Sequence, residues 1–338
     1  MRKSGRYLEI LVPELSACIH EVNDKSGNED LSFLQVLSRA DYARSSSVNF
    51  DEYLLEACGI KGLSDGYVSQ ASVLAYADTG LINSVPIICS DPVFLKGDPS
   101  RLMLFDADSI GINKSEADSL VSLLNDFFRR DGLNIWCKDP RRWFVEGLDH
   151  TIYAGTSPTK LTGTPLEPDM ASRKALGDLG RIMTEAQMVL HDCEVNKRRL
   201  CEGKPPVNSI WLWGAGEQPL VSKPKITAVF TNDHFSKSCA KFSSLAVGSV
   251  EDIDLSMIQS GARGLVAIPP KYNLWQTNQI LQRVIKYAVS SLKSGELTKL
   301  LIVSDRDTFL LDRRMLRRFW KRKKSLMRRI VDRGEIIE

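Results

Sequence analysis

Histidine is the scarcest of the chemically versatile residues in this chain. There are four in 338 residues: His20, His150, His191 and His234. A two-metal site for phosphoryl transfer needs several imidazoles and carboxylates around ions about 4 Å apart. Four scattered histidines are a thin donor set for that, and no metal ligand or cofactor is assigned from them. Cysteine is present but unpatterned. Cys18, Cys58, Cys89, Cys137, Cys193, Cys201 and Cys239 are odd in number and include no CxxC pair. That argues against a secreted disulfide framework or a zinc ribbon, and for reduced thiols in a cytoplasm. Long apolar runs are missing too, since none approaches the roughly 20 residues that span a bilayer. The basic start MRKSGR is followed by Glu9, Pro13 and Glu14 without a small-residue cleavage site, so it reads as a strand, Tyr7 to Val12. P-loop, HExxH and GxSxG motifs are all absent.

What remains is an ordinary globular composition, 43% hydrophobic and 26% charged, long enough for one large or two smaller domains. The net charge of +3 is small but unevenly spread. Ten Lys or Arg and no acid lie between Arg313 and Arg329, and removing them from the sum leaves −7. A short basic element on a mildly acidic body is either a solvated helix face or a grip on an acidic partner. For nucleic acid the expectation is weak, non-specific and salt-sensitive binding.

Hydrophobic periodicity sets out the elements. "RLMLF" reads as a strand. A helix capped by Ser115, with Asp118 as box partner, carries Ala117, Leu120, Val121, Leu124, Phe127 and Phe128 as its apolar stripe and stops at Gly132. "LNIWC" and "RWFVEG" read as a hairpin. Residues 30–80 look helical. Further on come a helix over Arg181–Leu200, strands at "NSIWLW", "ITAVF" and "GLVAI", a helix over Gln279–Leu292, and paired strands in "KLLIVSDRDTFLLD". Alternating strands and helices predict an α/β fold, a layered mixed sheet with helices on its faces and a helical N-terminal region. The Gly-, Pro- and Thr-rich residues 155–170 suggest a connection between an N-terminal region, 1–154, and a C-terminal one, 171–338.

The densest collection of polar and aromatic residues runs from His191 to Pro219. On the preceding helix, Glu185, Asn196 and Arg199 fall along one edge, with Gln187 and His191 on the other. The next strand contributes Asn208, Trp211 and Trp213, and Gly214 and Gly216 permit a tight turn with free amides. These ten residues form the candidate site for a small anionic ligand. The competing reading is core packing by the indoles and a solvated helix edge. Pro219 stands where a dinucleotide fingerprint needs its third glycine.

The stretch "TEAQMVLHDCEVNKRRLCEGKPPVNSIWLWGAG" resembles the RpfE-type regulatory proteins of proteobacteria, which are grouped with cofactor-independent phosphoglycerate-mutase-like proteins. "SDPVFLKGDPSRLMLF", "DGLNIWCKDPRRWFV" and "RRFWKR" are similar to segments of the same family. The resemblance implies an alkaline-phosphatase-like fold. It also implies two metals held by Asp and His, with a nucleophilic Ser or Thr. Here "LEILVPELS" follows where an Asp-Gly is expected after the first strand, and Asp305-Arg306-Asp307 stands where an Asp-His-Gly is expected. Arginine cannot ligate a metal. The expectation is a cytoplasmic regulatory or ligand-binding protein without an evident catalytic metal site, with a small anionic ligand or a protein as partner. The alternative is an atypical phosphoglycerate-mutase-like or phosphatase-like phosphoryl-transfer enzyme.

Overall fold

The structure is a computed structural model. It describes residues 5–25, 31–44, 47–63, 67–82, 85–97, 101–148, 155–166, 177–270, 272–318, 320 and 326. The chain divides into two units, one formed by 1–60 with 221–338 and the other by 61–220. The first unit is discontinuous, and residues 155–170 belong to the stretch assigned to the second. Composition marks exposed loops, and a loop within a unit is as rich in Gly and Pro as one between units.

The opening elements are β1 (Arg6–Leu11), α1 (Leu15–Lys25), α2 (Leu31–Arg39), β2 (Asp41–Arg44), α3 (Phe50–Ala57) and β3 (Ile60–Lys61). Next come α4 (Gln70–Thr79), β4 (Ile87–Gly97), β5 (Leu102–Phe105), α5 (Ala107–Ile110), α6 (Lys114–Phe128), β6 (Asn134–Cys137) and β7 (Trp143–Glu146). They lead into α7 (Pro158–Leu161), α8 (Asp178–His191), α9 (Glu194–Cys201), β8 (Ser209–Trp213) and β9 (Leu220–Val221). The chain then returns to the first unit with β10 (Ala228–Phe230), α10 (His234–Phe242), β11 (Ala246–Gly248) and β12 (Arg263–Ala267). It ends with α11 (Leu274–Ser294), β13 (Leu297–Val303) and β14 (Asp307–Asp312).

The first unit is built on a seven-stranded mixed sheet in the order β11-β10-β12-β1-β13-β14-β2. Its first five strands are parallel, β14 runs against them, and β2, antiparallel to β14, closes the edge. Alternation along β1 sends Leu8 and Ile10 to one face, where they join Ile302, Val266 and Phe309 in a single apolar cluster. Leu281, Val284, Ile285 and Ala288 of α11 cover that face at helical spacing, with Leu15, Ile19, Phe33 and Leu34 beside them. A capping box between Asn273 and Gln276 starts α11, and Gly295, in the left-handed conformation, stops it.

The second unit holds a five-stranded antiparallel sheet in which β4 pairs with β5, β7 and β8, and β6 pairs with β7. The hairpin read from "LNIWC" and "RWFVEG" is β6–β7. Three local expectations change. Helix α6 is capped by Asn113, whose side chain bonds the Glu116 amide while the Glu116 carboxylate bonds the Asn113 amide. Ser115 therefore lies within the first turn and is not its cap. The helix expected over Arg181–Leu200 breaks at Asp192–Cys193, because Cys193 is extended and begins α9. The expected all-helical stretch 30–80 includes strand β2, which pairs with β14. Most of the basic segment Arg313–Arg329 lies outside the described residues, as does His150. No helix among the described residues is long and apolar enough to cross a membrane.

Candidate functional site

In open α/β sheets, ligands gather beyond the carboxyl ends of the parallel strands. In the first unit, two groups of polar residues occupy that edge. Strand β1 is followed by Val12-Pro13-Glu14, with Glu14 at φ +52, a conformation that non-glycine residues adopt rarely. The strain orients the first turn of α1 toward the turn between β13 and β14. The Glu14 amide donates to Asp305 Oδ2 at 2.9 Å and the Leu15 amide to Ser304 Oγ at 3.1 Å. Ser16 Oγ donates to Asp307 Oδ2 at 2.7 Å, and the Tyr42 hydroxyl donates to Asp307 Oδ1 at 2.8 Å. Both oxygens of the buried Asp307 thus have partners within the fold.

The second group lies at the ends of β10 and β11. Asp233 caps α10 by accepting from the Ser236 amide at 2.8 Å. Asn232 Nδ2 donates to both Glu251 oxygens at 2.7 and 2.6 Å. Ser249 Oγ also donates to Glu251, and these bonds hold its carboxyl below the usual range, those from Ser249 having the larger effect. His234, the first residue of α10, is exposed and has Nδ1 3.2 Å from Ser238 Oγ. Among the described residues, no three His, Cys, Asp or Glu side chains are grouped so that they could hold a metal ion.

The residues singled out between 185 and 216 all lie in the second unit, where most are bonded into the fold. Asn196 is buried. Its amide donates to Leu190 O and Val207 O at 2.7 and 2.8 Å and accepts from the Val207 amide at 2.8 Å. It fastens the end of α8 to the start of β8. Arg199, fully buried, donates to Pro205 O, Ile110 O and Glu116 Oε2. Asn208 pairs with both the amide and the carbonyl of Leu95. Trp211 Nε1 donates to Thr156 O at 2.9 Å. Glu185 pairs with Arg181, Gln187 is half-buried, and His191 is exposed at the end of α8. Gly214 and Gly216 let the chain pass close to residues 67–71. A Cβ on Gly216 would lie 2.4 Å from Tyr67 O, and Gly214, at φ +74, accepts the Ala71 amide through its carbonyl.

Trp213 leads to a group that sequence reasoning missed. Its Nε1 donates to Asp91 Oδ2 at 2.8 Å, and the Trp143 amide donates to Asp91 Oδ1 at 3.2 Å. Nearby, Arg142 and Asp78 form a largely buried ion pair. Burial pushes the Asp91 carboxyl up to about 7, against the opposing pull of the Trp213 bond and the Arg142 charge. The one available sequence signal was a lone acid within the apolar strand run "IICSDPVFL".

This makes a pH-dependent contribution to stability. Unfolded, Asp91 releases its proton near its usual 3.8, whereas folded it keeps it to about 7. Between these values the native state binds the extra proton, so stability falls as pH rises from about 4 to about 7 and is level above. Asp91→Asn removes that part of the slope. A wild-type melting profile no steeper than the variant's over this range would refute the assignment.

Comparison with known proteins finds partial similarity to one group of enzymes. A 121-residue stretch is 32% identical to 2,3-bisphosphoglycerate-independent phosphoglycerate mutase 2 of Methanothermobacter thermautotrophicus, covering 35% of this chain and 30% of that protein. A 64-residue stretch is 38% identical to 2,3-bisphosphoglycerate-independent phosphoglycerate mutase of Methanosarcina barkeri, covering 19% and 16%. The matched stretches thus span less than a third of each relative's length. No protein-family model matches the sequence. Among solved structures, the PH0037 protein of Pyrococcus horikoshii superposes over 100% of both chains with a TM-score of 0.53 at 15% identity. That likeness concerns the fold. The chain is distantly similar in sequence to cofactor-independent phosphoglycerate mutases and has a mixed α/β architecture.

Proposed function

We propose that this chain is a regulatory or ligand-binding relative of the cofactor-independent phosphoglycerate mutases, of the RpfE type, whose first unit has an alkaline-phosphatase-like sheet. The observation that carries this reading is the internal bonding of the carboxyl edge. Ser304, Asp305 and Asp307 serve the start of α1 and Tyr42, so the edge is organised by its own hydrogen bonds. A catalytic edge would instead leave its carboxylates available to ions and substrate. The seven cysteines stand as thiols, four of them buried, which accords with action in a reducing compartment such as the cytoplasm.

The sequence matches to mutases favour a second reading, an atypical phosphoryl-transfer enzyme, and one experiment separates the two. The purified protein, dialysed after exposure to manganese and zinc, is expected to retain less than about one equivalent of metal. It is also expected to show no turnover of phosphoglycerate or p-nitrophenyl phosphate above the uncatalysed rate. Two tightly held ions together with turnover would establish the enzyme reading instead.

A further inference from the structure

We infer that the first unit carries a binding site for a small organic anion on the sheet face opposite its main core. Parallel strands are ordinarily covered on both faces. Here Leu8 and Ile10 of β1 meet the core, while Tyr7 and Glu9, on the alternate face, line a cavity of about 460 Å³ with Arg263, Lys299, Leu301 and Leu310. That volume lies within the range of small-molecule sites, roughly 300–1,000 Å³.

Strand register fixes the charges. Tyr7 stands opposite Arg263 on β12 and opposite Lys299 on β13, so one cation flanks it on each side. With neighbouring strands about 4.8 Å apart, the two Cα atoms are roughly 10 Å from each other. Neither cation closes a salt bridge among the described residues. Lys299 Nζ instead stands 5.9 Å above the Tyr7 ring. The next row, Glu9 and Leu301, supplies an apolar floor beside Leu310 and one buried acid. The Tyr53 hydroxyl donates to that acid, and burial raises its pKa despite the bond and the charges of Arg263 and Lys225. Two cations at the rim against one buried acid, with an aromatic ring between them and leucines beneath, select a monoanion with a flat apolar body. An aryl or short acyl carboxylate or sulfonate has this chemistry. The site belongs to the amino-terminal half of the strands and is independent of whether the carboxyl edge supports turnover.

The test is a fluorescence titration with 1-anilinonaphthalene-8-sulfonate, mapped on the methyl resonances of Leu301 and Leu310. The expected result is one saturable site per chain with shifts at both leucines. Binding should be about tenfold weaker for R263Q/K299Q, and similarly weaker for uncharged 1-anilinonaphthalene. If the double variant melts below the wild type, the single variants are used, each expected to bind about threefold more weakly. The proposal is overturned by absence of saturation, by shifts that spare both leucines, or by binding that the charge variants leave unchanged.

Discussion

Replacing Arg199 with alanine is expected to lower the unfolding free energy of the second unit by about 3–5 kcal/mol. The guanidinium is fully buried and spends three nitrogens on three parts of the chain. Nε reaches Pro205 O at 2.8 Å, Nη2 reaches Ile110 O at 2.5 Å, and Nη1 reaches Glu116 Oε2 at 2.8 Å. Removing it strands two carbonyls and takes the counter-charge from a carboxylate whose side chain is only 13% exposed. An unpartnered buried charge costs far more than a surface ion pair contributes. The same Glu116 carboxylate completes the capping box of α6, so the loss extends to that helix start. Arg199→Lys restores the charge but not the planar fork, and rescues little of the loss. Urea unfolding followed by tryptophan emission measures the effect. Trp136, Trp143, Trp211 and Trp213 are in the second unit, whereas Trp275 and Trp320 are 62% and 64% exposed. A midpoint shift equivalent to less than about 1 kcal/mol would contradict the role of Arg199 as an internal tie.

Trp213→Ala should cost a similar amount, about 3–5 kcal/mol, for a different reason. The indole is 5% exposed on a strand whose five residues are all buried, and it stands in register with Cys89 of β4. Truncation opens a cavity and removes the N–H that Asp91 accepts. Trp213→Phe separates these effects. It keeps most of the volume and loses only the donor, so the expected cost falls to about 1–3 kcal/mol. Without that donor the Asp91 carboxyl is held even higher, and the pH slope described above extends further toward alkaline values. A phenylalanine variant as unstable as the alanine variant, with an unchanged slope, would refute this division.

Periodicity made much of the fold legible because it records which face is buried. The β6–β7 hairpin, the strand Ser209–Trp213 and the stripe of α11 were readable from residues a few positions apart. Ser115 and Asn113 are both good capping residue types, and only the reciprocal bond to Glu116 decides between them. The break at Asp192–Cys193 leaves no mark in the periodicity because both halves keep the helical pattern, while the interruption is fixed by Asn196 reaching across to Val207. Arg199 and Asn196 stood out by type, yet their partners could not be read locally, since Glu116 and Ile110 lie more than 80 residues earlier. Asp91 was passed over for the same reason. Its environment comes from Trp143 and Trp213, on strands brought together only by the sheet.

The discontinuity of the first unit imposes a timetable on synthesis. Strand β1 is made long before its two neighbours in the sheet, β12 and β13, which come from beyond position 260. At about 5–20 residues per second, the nascent "YLEILV" segment waits roughly 15–60 s for the partner that flanks it on the β13 side. Over that interval residues 61–220 leave the ribosome as a complete set of elements that can close first. Loop-closure entropy makes so distant a pairing slow even afterwards. An apolar strand with two open edges is meanwhile a template for other chains, so the yield of native protein is set by what shields β1 while its partners are still being made.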